Sequence, residues 1–122
     1  MYNKKESVED YLEKILMLKE EKGVVRAIDI ANFMAFSKAS VSVALKKLKS
    51  YDYVTVDEST GYIELTSEGE RIAKATYERH QVISRALIAL GVSEKTALED
   101  ACAVEHSLSD ETFQVLKEKF KK

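Results

Sequence analysis

No proline interrupts this chain of 122 residues, so its linkers are expected to be short and its helices to run until a glycine or a capping residue stops them. There are only four glycines, and none sits in a phosphate-cradling loop. His-Glu-x-x-His and Cys-x-x-Cys are also missing, and no Ser-His-Asp set can be argued from spacing, so the pattern does not point to an enzyme. The single cysteine, Cys102, excludes an internal disulfide. Its thiol is left as a structural group, a reactive group or a ligand, and a reducing compartment suits all three. No stretch approaches the ~20 apolar residues of a membrane span, and the N-terminal residues lead into no signal-peptide core. The expected location is the cytoplasm, with no membrane partner.

What is present is the mixture of a globular protein: 45% apolar and 33% charged residues, too apolar for a disordered chain and too charged for a membrane one. The length fits one compact unit, or a small domain with a helical extension. Such a chain buries a modest core alone, which makes oligomerisation the expectation. A formal net charge of −2 argues against a uniformly basic nucleic-acid binder. The distribution is more informative, because residues 30–51 carry Lys38, Lys46, Lys47 and Lys49 and no acid, a basic patch in an acidic protein.

Periodicity predicts a first helix from about Ser7 to Lys22, with Ser7 as N-cap, Asp10 in the capping-box position and Leu12, Ile15, Leu16 and Leu18 as the buried stripe. A short helix over Ala27 to Met34 and a third from about Lys38 to Tyr51, capped by Ser37, follow across a tight turn. Val41, Leu45 and Leu48 point inward. This reads as a helix-turn-helix whose second helix opens with Ser37, Lys38, Ser40 and Ser42. Small hydroxyls on a first turn suit a helix lying in a major groove, and Lys46 and Lys47 suit phosphate neutralisation. An ordinary amphipathic surface helix would look the same on this feature alone. The two β-rich runs Tyr53 to Val56 and Tyr62 to Leu65, joined by a turn ending in Gly61, decide in favour of a wing. Three helices and a wing form a winged helix, most often a DNA-binding module, although some members of the fold bind protein.

A fourth helix is expected from Thr66 or Ser67 to about Leu90, with Ile72, Val82, Ile83, Ala86, Leu87 and Leu90 as apolar positions. A fifth, capped by Ser93, should reach about Ser107, packing through Leu98, Ala101, Val104 and Leu108, and a sixth, capped by Ser109, should span Asp110 to Phe120. The fold class is therefore mostly α with a small β-wing. An N-terminal winged helix-turn-helix, residues 1–70, is followed by a helical domain, residues 71–122.

The chemistry concentrates after the wing. On a helix advancing ~100° per residue, Cys102, Glu105 and His106 share about a third of the circumference, so a thiolate, a carboxylate and an imidazole can converge. His80 lies on the preceding helix, and Asp10 and Glu13 share one face of the first. Separately, each has an ordinary explanation: a small buried hydrophobe for Cys102, a solvated acid for Glu13 or Glu105, a helix-terminal cation for His106, a surface group for His80. Jointly, they mix hard oxygens, imidazoles and one thiolate. Such a set suits a divalent transition metal such as Fe²⁺, Mn²⁺ or Co²⁺ better than Ca²⁺ or Mg²⁺.

Glu9-Asp-Tyr-Leu-Glu13, the helix Ser37 to Leu48, Leu65-Thr-Ser-Glu-Gly69, Arg79-His80 and the run Glu99 to Ser109 resemble, in that order and over almost the whole chain, the metal-dependent repressors of the diphtheria toxin repressor and manganese transport regulator family. The resemblance implies a homodimer joined by the helices after the wing. It places Asp10, Glu13, His80, Cys102, Glu105 and His106 on ligand positions. Manganese regulators carry a glutamate where this chain has Cys102; iron-type repressors carry the cysteine, and a methionine where this chain has Asp10. The hybrid leaves open Fe²⁺ or Mn²⁺ and one or two ions per subunit. The ancillary site of iron-type members is not expected, because its positions hold Ser84 and Leu98, and their C-terminal SH3-like domain is not expected beyond Lys122. Val43 stands where iron-type repressors have glutamine and could meet a thymine methyl. The implied function is a repressor of metal homeostasis genes with metal as co-repressor, a double-stranded DNA operator as partner and no small-molecule substrate. The competing readings are a winged-helix regulator without a metal switch, and a metal protein whose winged helix serves protein contacts.

Overall fold

The computed structural model describes residues 4–120, with side chains from residue 8 onward. Among these residues the order is α1 (Lys4–Lys22), α2 (Ala27–Met34), α3 (Lys38–Ser50), β1 (Val54–Val56), β2 (Ile63–Leu65), α4 (Ser67–Ala89), α5 (Glu94–Val104) and α6 (Asp110–Phe120). The chain divides into two compact units, Met1–Lys74 and Ala75–Lys122, and the division falls inside α4.

In the first unit α1 buries Tyr11, Leu12, Ile15, Leu16 and Leu18. It is already helical at Lys4, so the expected cap at Ser7 is corrected: Ser7 lies within the helix and Asp10 beyond its first turn. Lysine and glutamate are good helix formers, and nothing in Lys4-Lys5-Glu6 opposes upstream propagation. At the other end Gly23 takes a left-handed φ of 87° and its N–H bonds the Lys19 carbonyl at 2.9 Å, closing the helix as glycine does best.

Helix α2 opens on Arg26, whose backbone N–H is accepted by the Asp29 carboxylate at 2.9 Å. That bond, then the Lys22 ammonium, holds the Asp29 carboxyl below the usual carboxylate range. Ala35 ends α2 in the left-handed region (φ 59°), and Ser37 starts α3 by accepting from the Ser40 N–H at 3.1 Å. Ile30 and Ala31 of α2 and Val41, Leu45 and Leu48 of α3 are buried, and α2 packs on both α1 and α3.

Strands β1 and β2 pair antiparallel with Val54 opposite Leu65 and Val56 opposite Ile63. The Ile63 N–H bonds the Val25 carbonyl at 2.8 Å, which anchors the wing to the segment before α2. Thr66 caps α4: its hydroxyl accepts from the Gly69 N–H at 3.1 Å and donates to the Asp52 carbonyl at 2.7 Å. A Cβ at Gly69 would overlap the Tyr53 carbonyl oxygen, so the close approach of α4 to the residue just before β1 requires glycine there.

In the second unit the buried side chains are Thr76, Val82, Ile83, Ser84 and Ala86 of α4, Ala97 and Ala101 of α5, Glu105 just after it, and Phe113 of α6. Three expected packing positions are corrected: Leu90, Leu98 and Val104 are exposed, Leu90 at 73%. The inward stripe of α5 runs instead through Ala97, Ala101 and Glu105, four residues apart and all buried, which turns Leu98 and Val104 outward. Helix α5 also stops at Val104 and not near Ser107. The Glu105 N–H still bonds the Ala101 carbonyl at 3.0 Å and the Ser107 N–H the Val104 carbonyl at 3.0 Å, a tightened final turn that keeps Glu105 in helical phase. Ser93 and Ser109 cap α5 and α6 through the N–H groups of Thr96 and Thr112, at 3.4 and 3.1 Å.

Candidate DNA-binding face and metal centre

Helix α3 has two faces with different work. Ser37, Lys38, Ser40, Ser42, Val43, Lys46 and Lys47 are all exposed, Val43 at 56%, opposite the buried Val41, Leu45 and Leu48. Its first turn contains no acid, so the positive end of the helix dipole and its unused N–H groups are available to a phosphate. Ser37 is the exception among these residues. Its hydroxyl donates to the Ser40 hydroxyl at 3.0 Å while accepting from the Ser40 N–H, which makes it a cap first. The wing tip has the opposite charge. Asp57, its carboxyl lowered chiefly by the Ser59 hydroxyl and then by the Ser59 and Thr60 N–H groups, organises the turn to Gly61. Arg26 braces the wing from outside, donating to the Thr60 carbonyl at 3.1 Å and lying 4.7 Å over the Tyr62 ring.

Of the two acids on α1, Asp10 is half-buried and Glu13 fully buried, one turn apart on the same side. Glu13 lies 3.2 Å from the Lys14 ammonium. An acid without exposed surface is not the solvated helix charge that its spacing alone allows. Burial of a carboxylate requires compensating partners.

The second unit brings His80, Cys102, Glu105 and His106 together. Glu105 is 1% exposed because it continues the buried Ala97 and Ala101 stripe. One of its oxygens lies 2.9 Å from His80 Nδ1. The other, Oε1, lies 3.4 Å from His106 Nε2 and has no hydrogen-bond partner. Cys102, one turn earlier and half-buried, can offer its sulfur within 4.8 Å of a Glu105 oxygen. A buried carboxylate oxygen without a hydrogen bond is costly, of order 1–3 kcal/mol or more. A divalent cation removes that cost, and carboxylate, imidazole and thiolate are ligands that iron and manganese accept. The donor set fits a metal.

Arg79 is the residue whose role the pattern of the sequence did not disclose. Its guanidinium donates to the Leu108 carbonyl at 2.7 Å, pairs with Asp110 and lies 4.9 Å over the Phe113 ring. The only sequence-level trace is its place beside His80, since Leu108 and Asp110 lie about thirty residues on.

Comparison with known proteins agrees with both halves. Residues 5–62 match the iron dependent repressor N-terminal DNA binding domain, and residues 66–122 match the iron dependent repressor metal binding and dimerisation domain. An uncharacterised HTH-type transcriptional regulator of Methanocaldococcus jannaschii is 40% identical over 121 residues, covering 95% of this chain and 96% of its own. The HTH-type transcriptional regulator MntR of Bacillus subtilis is 39% identical over 103 residues, covering 84% of this chain and 72% of its own. Among solved structures, the manganese regulator SloR superposes with a TM-score of 0.80 at 31% identity over 92% of this chain. A manganese-dependent transcriptional repressor in complex with manganese gives 0.84 at 26% identity over 93%. This chain spans 52% of each of those two.

A winged helix-turn-helix followed by helices that converge carboxylate, imidazole and thiol groups defines a metal-dependent DNA-binding transcriptional regulator, with divalent manganese or iron as its cofactor. The chain belongs to the iron dependent repressor family.

Proposed function

We propose that this protein is a cytoplasmic, non-catalytic repressor of metal homeostasis genes for which Mn²⁺ or Fe²⁺ is the co-repressor, with residues 1–70 reading the operator and residues 71–122 carrying dimerisation and metal binding. The observation that carries the reading is the buried Glu105 carboxylate, which lies between the His80 and His106 imidazoles and whose Oε1 has no hydrogen bond. His80, Glu105 and His106 would hold the cation with Cys102, and Asp10 and Glu13 of α1 would complete the set. The cation supplies positive charge that several acids and imidazoles can share. With that charge shared, Asp10 and Glu13 would restrain the winged helix and thereby set the spacing of the two recognition helices in a homodimer, so that half-sites one or more helical turns apart would be met together. Ser42, Val43 and Ser40 are the base-facing candidates on α3, and Lys38, Lys46 and Lys47 the phosphate-facing ones.

Linkage makes the effect reciprocal, so operator DNA tightens metal binding by the factor by which metal tightens DNA binding. The thiolate of Cys102 favours Fe²⁺, and the carboxylates of Asp10, Glu13 and Glu105 favour Mn²⁺. Anaerobic titration of the apo protein with each metal, following binding to its own promoter DNA at fixed salt, tests the proposal. A rise in affinity of tenfold or more, about 1.4 kcal/mol of coupling, supports it and identifies the metal. High affinity unchanged by either metal would make the protein a constitutive winged-helix regulator.

A further inference from the structure

We infer that Arg79 is a positioning residue for the metal centre: it clamps the segment Glu105 to Asp110 against α4, and thereby sets where Glu105 and His106 stand relative to His80. The inference rests on the proposed metal site, and its geometry lies wholly within the second unit.

Helix α5 ends at Val104 and α6 begins at Asp110, so His106 stands on a turn and not on a helix. A turn by itself does not fix an imidazole to the few tenths of an ångström that coordination needs. Arg79 acts on the far side of that turn. Its Nη1 donates to the Leu108 carbonyl at 2.7 Å, satisfying a backbone acceptor that lies outside both helices. The other terminal nitrogen, Nη2, pairs with Asp110 in the first turn of α6. The guanidinium plane covers the buried Phe113 ring one turn later. A second bracket from the same stretch of α4, Glu78 to Lys117 at 2.8 Å, holds α6 further along. Because Arg79 and His80 are consecutive on α4, whatever Arg79 grips is placed relative to the His80 imidazole.

The strengths of these contacts are unequal. The side chain of Arg79 is 19% exposed and that of Asp110 is 95% exposed, so the ion pair is screened and contributes little. The carbonyl bond and the ring contact are sheltered and carry the clamp. Removing the arginine should therefore cost far more than removing its acidic partner. A lysine can reach one acceptor but cannot present a planar fork to two acceptors while lying on a ring.

The test compares wild type, Arg79→Ala, Arg79→Lys and Asp110→Ala by Mn²⁺ titration calorimetry, thermal melting of the apo protein, and amide hydrogen exchange of residues 105–109. Residues that orient metal ligands cost about 10- to 100-fold in metal affinity when removed, and Arg79→Ala should fall in that range. The amides of the turn should exchange faster while those of α3 do not change. Arg79→Lys should recover part of the affinity, and Asp110→Ala should lose no more than about threefold. If Arg79→Ala melts earlier yet its folded fraction binds Mn²⁺ like wild type, the arginine is only a stabilising contact and the inference is overturned. If Arg79→Ala does not fold, the decision passes to Arg79→Lys, in which unaltered affinity and unaltered turn exchange overturn it. Failure of the wild-type protein itself to bind Mn²⁺ or Fe²⁺ would remove the proposed function and the inference with it. That result is distinct from wild-type binding that Arg79 does not influence.

Discussion

Helix α3 and the Glu105 turn present their candidate ligand groups in opposite ways. On α3 the side chains proposed to meet DNA, Ser42, Val43, Lys46 and Lys47, are exposed, while Val41, Leu45 and Leu48 on the other face hold the helix in the core. Stability and recognition are separated by half a turn. At Glu105 they coincide, because the same stripe that packs Ala97 and Ala101 buries the carboxylate and leaves Oε1 without a hydrogen bond. The first arrangement lets a surface change its partner without loss of fold. In the second, a cation at the proposed site would satisfy that oxygen, so binding and stability should rise together.

The sharpest way to separate the two faces of α3 is Leu48→Ala. It should cost about 2–5 kcal/mol in denaturant unfolding, since Leu48 is 2% exposed, and a loss below 1 kcal/mol would show that this face is not what holds the helix. Glu105→Gln should break the coincidence in the second unit. Metal at a hundred times its dissociation constant stabilises a wild-type site by about 2.7 kcal/mol, and in this variant that increment should vanish while the apo protein melts no earlier. Persistence of the increment would take Glu105 out of the ligand set.

Smaller effects sharpen the contrast. Lys46→Ala with Lys47→Ala should leave the fold within about 0.5 kcal/mol of wild type and reduce the slope of log affinity for operator DNA against log salt by roughly 1 per lysine. An unchanged slope would mean that neither lysine meets a phosphate. Asp29→Ala should remove roughly 0.3–1 kcal/mol near neutral pH, the contribution of an acid in a helix's first turn. The Asp29 carboxyl is held below its ordinary range, first by the Arg26 N–H and then by Lys22. Its contribution is therefore full above the unfolded pKa and fades as acid titrates it through the lowered folded value, below about pH 4. Melting curves of variant and wild type should converge there, and a gap constant down to strong acid would assign the loss to something other than the charge.

Local rules were enough for much of the chain. Ser37, Ser93 and Ser109 cap the helices that follow them, and Val41, Leu45 and Leu48 are buried at helical spacing. These outcomes depend on interactions within four residues, which a sequence displays directly. The start of α1 was not legible, because a serine that could cap was overridden by good helix formers before it. At Gly69 nothing local calls for glycine; only the approach of the Tyr53 carbonyl makes it necessary.

The residue types of the candidate centre, and the family to which they belong, were readable from Glu9 to Glu13, Arg79-His80 and Glu99 to Ser109. Sequence by itself determined the order of elements, the caps at Ser37, Ser93 and Ser109, and which acids, imidazoles and thiol are available. Only the tertiary structure decided that Glu105 and Glu13 are buried, that α5 packs through alanines and turns Leu98 and Val104 outward, and that Arg79 reaches Leu108 and Asp110. The physical reason is range: capping and periodicity act within a turn of helix, whereas desolvation of a carboxylate and the reach of a guanidinium depend on which distant segments the fold brings beside them.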